Sequence, residues 1–190
     1  MNKIFIKLLF FAGCLPFFTL VFSCNRNSIE DEMKRMENMT VNLNLNNMQC
    51  WASDSLVIER PWETKPLKLC VFISEDFCTS CYLKKMFQWE DFIELEKDYN
   101  FYIYFIFEPQ EGCEENFHKF FYQAELDHPF YLDKKKLFMK ENSFIPEQNI
   151  FHTFLLDENN HIILIGDILH NEDIEHEFRN IIENAEKESE

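Results

Sequence analysis

Leu67-Lys68-Leu69-Cys70-Val71-Phe72-Ile73, followed by Ser74-Glu75-Asp76-Phe77 and then Cys78-Thr79-Ser80-Cys81, is the stretch on which the reading of this chain turns. Its first seven residues are an apolar run of strand length, the pattern of a strand buried on both faces. Ser74 to Phe77 break that run. After Cys81 the apolar residues recur at helical spacing. Leu83, Met86, Phe87, Trp89, Phe92, Ile93 and Leu95 form one face, and Lys84, Lys85, Glu90, Asp91, Glu94 and Lys97 the wet one. A second apolar strand, Phe101 to Phe107, follows almost at once and stops at Glu108-Pro109. Strand, helix and strand joined by short links make a right-handed crossover, which implies a parallel pair.

Further along, a second helical region is expected over Glu114 to Leu126. Phe151 to Leu156, the turn Asp157-Glu158-Asn159-Asn160 and His161 to Ile165 read as a β-hairpin closed by Gly166-Asp167. Ile174, Phe178, Ile181 and Ile182 lie at helical spacing in a last segment, Glu172 to about Lys187, which would cap the sheet. The fold class is therefore α/β, a central mixed sheet flanked by helices, with parallel strands first and an antiparallel hairpin last.

The chemistry of the chain is concentrated in Cys78 and Cys81. A thiolate is the reactive form of cysteine, and the unsatisfied N–H groups and dipole at a helix N-terminus stabilise it. Cys78 stands where a strand ends and a helix begins, so its pKa should be lowered and its sulfur open to solvent. Cys81, about one turn further in, should be more buried. That asymmetry suits disulfide exchange: Cys78 attacks a substrate disulfide, and Cys81 then releases the product by attacking Cys78.

Composition removes other functions. The chain has 190 residues, Lys+Arg 18 against Asp+Glu 34, and a formal charge of −16. Such an acidic surface repels a phosphate backbone, and the longest basic run is Lys134-Lys135-Lys136, so no nucleic-acid partner is expected. Of 3 Gly, one is Gly13 in the apolar N-terminal run, leaving Gly112 and Gly166, too few for a glycine-rich phosphate loop. No cofactor is called for.

The N-terminus divides into two parts. Residues 1–23 read as a lipoprotein-type signal peptide, with Lys3 and Lys7 ahead of the apolar stretch Leu8 to Phe22. Leu20-Val21-Phe22-Ser23-Cys24 resembles a bacterial lipobox and makes Cys24 the expected lipidation site. Phe11-Ala12-Gly13-Cys14 is the rival, at the cost of a shorter apolar stretch. Loss of Lys3 and Lys7 with the signal takes the charge from −16 to −18. Residues 24–47 are polar and Asn-rich, a tether with two helical turns around Glu30 to Glu37, and the folded domain is placed at 48–190. A lipid-anchored membrane protein facing the periplasm or cell exterior is the expected localisation.

Phe77-Cys78-Thr79-Ser80-Cys81 at a strand-to-helix junction, with Thr153-Phe154-Leu155-Leu156-Asp157 and Ile162 to Gly166 downstream, resembles the thioredoxin-like superfamily. Ile162-Ile163-Leu164-Ile165-Gly166-Asp167, a polar turn and a helix are similar to anchored envelope thiol-disulfide lipoproteins of Bacteroidota. The resemblance covers about Leu67 to the C-terminus and implies a thioredoxin-like three-layer fold. It also implies a thiol-disulfide oxidoreductase of the cell envelope with Cys78 and Cys81 as the catalytic pair and Phe77, His152 and Thr153 at the substrate. The implied partners are extracytoplasmic protein thiols or disulfides and a redox partner protein.

Two positions depart from the family pattern. His152 stands where the family has a cis-proline before the hairpin strand. Phe72 falls where many thioredoxins bury a proton-transferring carboxylate, a role that is then vacant or passes to Glu75 or Asp76. Thr79-Ser80 is neither the Gly-Pro of reductants nor a His-bearing oxidant pair, which leaves the redox direction open.

His152 also opens a second reading. Two thiolates and an imidazole suit Cu(I) or Zn, so Cys78, Cys81 and His152 form an alternative metal set for a Cu(I)-handling chaperone. A non-catalytic thioredoxin-like binding lipoprotein is the third reading. Cys70 reads as a small core residue, and Cys50 and Cys113 as a possible structural disulfide. Met86, Phe87 and Trp89 read as core. His118, His128, His161, His170 and His176 have no ligand spacing and are expected to be at the surface or half-buried.

Overall fold

The computed structural model describes residues 28–52, 55–76, 82, 85–112 and 128–189. By contacts the chain divides into two units, Met1–Met36 and Glu37–Glu190. In the first, residues 28–36 are helical. The second carries a seven-stranded sheet: β1 (Gln49–Ala52), β2 (Ser55–Leu56), β3 (Leu67–Ile73), β4 (Phe101–Phe107), β5 (Phe130–Leu132), β6 (Thr153–Leu156) and β7 (Ile162–Ile165).

The order across the sheet is β2-β1-β5-β4-β3-β6-β7. β3 runs parallel to β4 in the register Leu67 to Phe101 through Ile73 to Phe107, and β4 runs parallel to β5. β6 lies antiparallel to β3 with Val71 opposite Thr153, and β7 antiparallel to β6. A central parallel pair followed by an antiparallel hairpin on the other flank of β3 is the thioredoxin-like arrangement, and the fold class is as expected. β3 and β4 have the bounds their apolar runs imply, because all seven residues of each are buried.

Period-two geometry sends alternate side chains of β3 and β4 to opposite layers. On the odd-numbered face, Trp89 meets Phe105 edge-on at 5.4 Å and Phe178 meets Phe101 at 5.3 Å. The helical segment before β4 and the C-terminal helix Glu172–Ser189 therefore cover that face. On the even-numbered face, Phe138 of the short helix Leu137–Glu141 stacks on Phe72 at 4.9 Å, and Trp62 stacks on Tyr102 at 5.2 Å. Trp62 is fixed in turn by donating from Nε1 to the Tyr131 hydroxyl at 2.9 Å, while that hydroxyl donates to Glu63 at 2.8 Å. Each fully buried Phe contributes about 1.5–3 kcal/mol by leaving water, which is why a chain rich in Phe can hold a sheet between two layers.

Several local details differ from the sequence reading. The segment after Cys81 is a 3-10 turn, Met86–Trp89, continued by an α-helix, Glu90–Leu95. Three residues per turn bring Met86 and Trp89 to the same inner side, and Phe87 is 63% exposed where a core position was expected. β6 begins at Thr153, two residues later than the apolar pattern suggests. Asn149–Phe151 form a 3-10 turn, and His152 donates its N–H to the Asn149 carbonyl at 3.0 Å. Residues 40–44, grouped with the tether by their polarity, include buried Val41 and Leu43. Thr40 bridges to His161, and Val41 donates to the Asn160 carbonyl at 2.8 Å. The hairpin turn is built as its residues imply: Asp157 Oδ1 accepts from the N–H groups of Asn159 and His161, both at 2.8 Å, and Asn160 takes a left-handed φ of 65°. The helix expected over Glu114 to Leu126 lies outside the described residues.

Candidate active site

The carboxyl ends of β3, β4 and β5 lie side by side, and the polar residues that follow them crowd together. Ile73 ends β3 and leads through Ser74 into a turn at Glu75 and Asp76. Glu108, directly after β4, donates its N–H to the Ile73 carbonyl at 2.9 Å, and Asp133, directly after β5, donates to the Phe107 carbonyl at 2.9 Å. Phe77, Cys78 and Cys81 lie outside the described residues, as does Cys24. The chain returns at Tyr82, one residue past Cys81. Tyr82 meets Phe107, the last residue of β4, edge-on with ring centroids 6.0 Å apart. Asp76 and Tyr82, which flank the Cys-x-x-Cys in sequence, thus lie at the carboxyl end of the central parallel strands, the end at which ligands of open α/β sheets characteristically bind.

Beside this end runs a groove of about 470 Å³. Val71, Phe72, Ile73, Tyr82 and Trp89 give it apolar walls. Gln88 comes from the 3-10 turn and Lys85 from just before it, Asn149, Ile150 and His152 from the approach to β6 and Thr153 from its start, and Asp167, Leu169, His170 and Asn171 from the loop after β7. His152 and Thr153 both line this groove. Thr153 pairs with Val71, and the His152 carbonyl accepts from the Phe72 N–H at 2.9 Å, which locks the loop to the central strand.

His152 is 3% exposed. Its Nε2 lies 3.0 Å from the Pro146 carbonyl, an acceptor, so Nε2 carries the hydrogen and Nδ1 presents a lone pair. Among the described residues that buried Nδ1 has no hydrogen-bond partner. Burial lowers the pKa of the ring, and the bond to Pro146 only partly offsets this, so the imidazole is neutral at pH 7. A neutral imidazole with a bare nitrogen can accept a hydrogen bond or ligate a soft metal. Among the described residues, no group of three or more His, Cys, Asp or Glu is placed to hold a metal ion.

The acidic side chains at the strand ends differ in environment. Glu75 is half-buried and ion-pairs with Lys136, while Asp76 is exposed. Glu108, which the sequence reading passed over, is 9% exposed. Burial raises its pKa; Lys136 opposes that shift, and Glu75, Asp133 and Asp76 reinforce it. Among the described residues the buried carboxylates at this end of the sheet are thus Glu108 and Asp133, not Glu75 or Asp76. The signal for Glu108 was its place immediately after a seven-residue buried strand, where the backbone of the next residue is still held in the sheet.

The remaining cysteine and histidine expectations divide. Cys70 is fully buried in β3, as expected, and burial pushes its thiol far up. Cys50 is a free buried thiol pushed up to about 11, so it is not in a disulfide with Cys113, which lies outside the described residues. His161, half-buried, and His170, exposed, are partners of Asp157 and Asp167, at 3.0 and 2.8 Å. His128, expected to be at the surface or half-buried, is 3% exposed and lies between the Pro129 carbonyl and the Glu96 carboxylate. His118 lies outside the described residues.

No family model and no curated protein matches this chain. Solved structures similar to it include the thioredoxin domain of a thiol-disulfide oxidoreductase from Bacteroides vulgatus, 15% identical over 77% of this chain and 97% of that one, with a TM-score of 0.49. A protein described as a thiol:disulfide interchange protein DsbE from Chlorobium tepidum is 14% identical over 76% and 94%, also at 0.49. A PrxQ variant from Xylella fastidiosa is 12% identical over 81% and 97%, again at 0.49. The thioredoxin-like fold of this chain rests on its own strand order and directions.

Proposed function

We propose that this chain is a thiol-disulfide oxidoreductase of the cell envelope, held to a membrane through a lipid on Cys24, that exchanges disulfides with extracytoplasmic proteins through Cys78 and Cys81. The observation that supports the reading is the place of Asp76 and Tyr82, the described residues flanking the Cys-x-x-Cys in sequence, at the carboxyl end of the central parallel strands, with Tyr82 on the wall of an open groove. The Cys78 thiolate attacks a client disulfide and forms a mixed disulfide, displacing one client sulfur as a thiolate that takes up a proton. Cys81 then loses its proton and attacks Cys78, so the client leaves with two thiols and the pair is oxidised. The reverse sequence oxidises a client dithiol. Phe77, His152 and Thr153 are the residues proposed to meet the client. Among the described residues no helix is long and apolar enough to cross a membrane. The test is thiol titration of the purified chain against glutathione buffers, repeated with Cys78→Ser. A reversible Cys78–Cys81 couple whose exchange disappears in the variant supports the reading; exchange that survives Cys78→Ser overturns it.

The bare Nδ1 of His152 favours one second reading, a Cu(I) carrier using Cys78, Cys81 and His152. Tight Cu(I) binding by the reduced chain that His152→Ala abolishes would favour carriage over exchange.

A further inference from the structure

The groove beside β3 differs in charge from the rest of the molecule. The chain has almost twice as many acidic as basic side chains, yet among the described residues the only carboxylate lining this groove is that of Asp167. It is already engaged, accepting from the Leu169 N–H at 3.0 Å and bonded to His170 Nδ1 at 2.8 Å. Lys85 lines the same groove, is exposed, and makes no ion pair with the described residues. Ile150 lines it and remains 42% exposed. Phe87, 63% exposed, stands on the turn that follows Lys85 and carries Gln88 and Trp89. Five large hydrophobic side chains are exposed among the described residues, and these are two of them. His152 adds a buried acceptor with no donor among the described residues.

We propose that this groove docks an extended polypeptide segment of the client in which an apolar side chain stands next to a carboxylate. The apolar side chain covers Ile150 and the apolar wall, and the carboxylate pairs with Lys85. The remaining net charge of the protein repels a purely acidic partner without an apolar anchor, so the two features are needed together. This rests on Cys78 and Cys81 being the exchange site, because it assigns the class of client that reaches them.

The test uses the full-length chain and three fluorescent cysteine-free octapeptides, followed by anisotropy. One alternates Phe or Leu with Asp, one replaces each Asp by Lys, and one keeps Asp but replaces the apolar residues by Ser. The expected result is binding of the first at least about tenfold tighter than either other, weakening as salt is raised. Lys85→Glu should invert the preference toward the lysine peptide, an outcome that general damage to the fold would not produce. Ile150→Ser should weaken the first peptide about tenfold. Equal binding of the three peptides, or an unchanged preference in Lys85→Glu, would overturn the proposal. Because the peptides hold no cysteine, the measurement can be repeated with Cys78→Ser and Cys81→Ser together. The docking claim then stands or falls separately from the exchange chemistry.

Discussion

The ring of His152 stands edge-on against Phe72, with centroids 5.2 Å apart and planes at 74°. These are the two positions at which the sequence departs from the thioredoxin-like pattern, and they touch. Phe138 stacks on the other side of Phe72, so the phenyl ring is held between an aromatic ring and a neutral imidazole. A carboxylate at 72 would be buried among these rings, and a proline at 152 would remove the edge-on partner.

The first prediction follows from this contact. Phe72→Leu and His152→Gln should be non-additive, with a coupling of about 0.5–1.5 kcal/mol in urea denaturation. His152→Pro, which restores the family residue, should destabilise. The His152 N–H bonds to Asn149 and its φ is −94°, whereas proline has no N–H and prefers about −65°. A loss of about 1–3 kcal/mol is expected. A stabilised His152→Pro would show that the loop can relax into the family conformation.

A pH profile follows from the same side chain. Burial holds the folded pKa of His152 below its ordinary value of 6.5, so the unfolded chain binds the extra proton first. Stability should therefore fall as pH drops through about 6.5, and the loss should level off below the folded pKa. His152→Gln removes this contribution, since glutamine does not titrate. Urea midpoints at pH 7.5 and 5.5 should differ less in the variant than in the natural chain; an identical pH dependence in both would refute the assignment.

What the sequence discloses and what it withholds divide along physical lines. β3 and β4 are legible because strands buried on both faces must be apolar throughout, and the hairpin turn is legible because Asp157 and Asn160 have the side chains such a turn requires. β1, β2 and β5 are too short for periodicity to announce them. Phe87 fails the helical pattern because the segment is 3-10, a choice made by packing Met86 and Trp89 inward. At the groove, His152 and Thr153 were candidates already in the sequence. The isolation of Nδ1 and the burial of Glu108 were not visible there, since both depend on neighbours distant in sequence.

Glu108 supplies a prediction of opposite sign. Its folded pKa lies above the ordinary carboxylate value, so at neutral pH the ionised side chain costs stability. Glu108→Gln should stabilise the protein at pH 7. The advantage should shrink as pH falls through about 4.5, where the carboxyl is protonated in the folded and unfolded chain alike. Melting temperatures of both proteins from pH 7 to pH 4 check this, and a variant less stable at pH 7 would contradict it.

Glu96 lies at the centre of a buried polar junction. Its carboxylate faces Nε2 of His128, at 3.2 Å from each oxygen, and also accepts the N–H of Ile103 on β4. Tyr102 stacks on His128 at 4.9 Å, so water has little access to the imidazole. Glu96→Ala would leave a buried imidazole nitrogen and a strand N–H without their acceptor, and should cost about 3 kcal/mol. Glu96→Gln, which keeps one acceptor oxygen, should recover part of the loss. Equal losses in the two variants would assign the effect to side-chain packing.

The described cysteines make the redox proposal testable by labelling. Burial pushes Cys50 up to about 11 and Cys70 higher still, so neither forms thiolate near neutral pH, and both are shielded from reagents in β1 and β3. A brief pulse of iodoacetamide on the reduced folded protein at pH 7 should therefore leave Cys50 and Cys70 unmodified, and denaturant should expose them. A Cys78 of lowered pKa should be the fastest to react, with a rate that rises through a midpoint below the ordinary thiol value near 8.5. Peptide mass spectrometry assigns the labels. Labelling of Cys70 at the rate of Cys78 would mean that β3 opens readily, while a Cys78 that titrates at or above 8.5 would remove the helix-start activation on which the exchange mechanism depends.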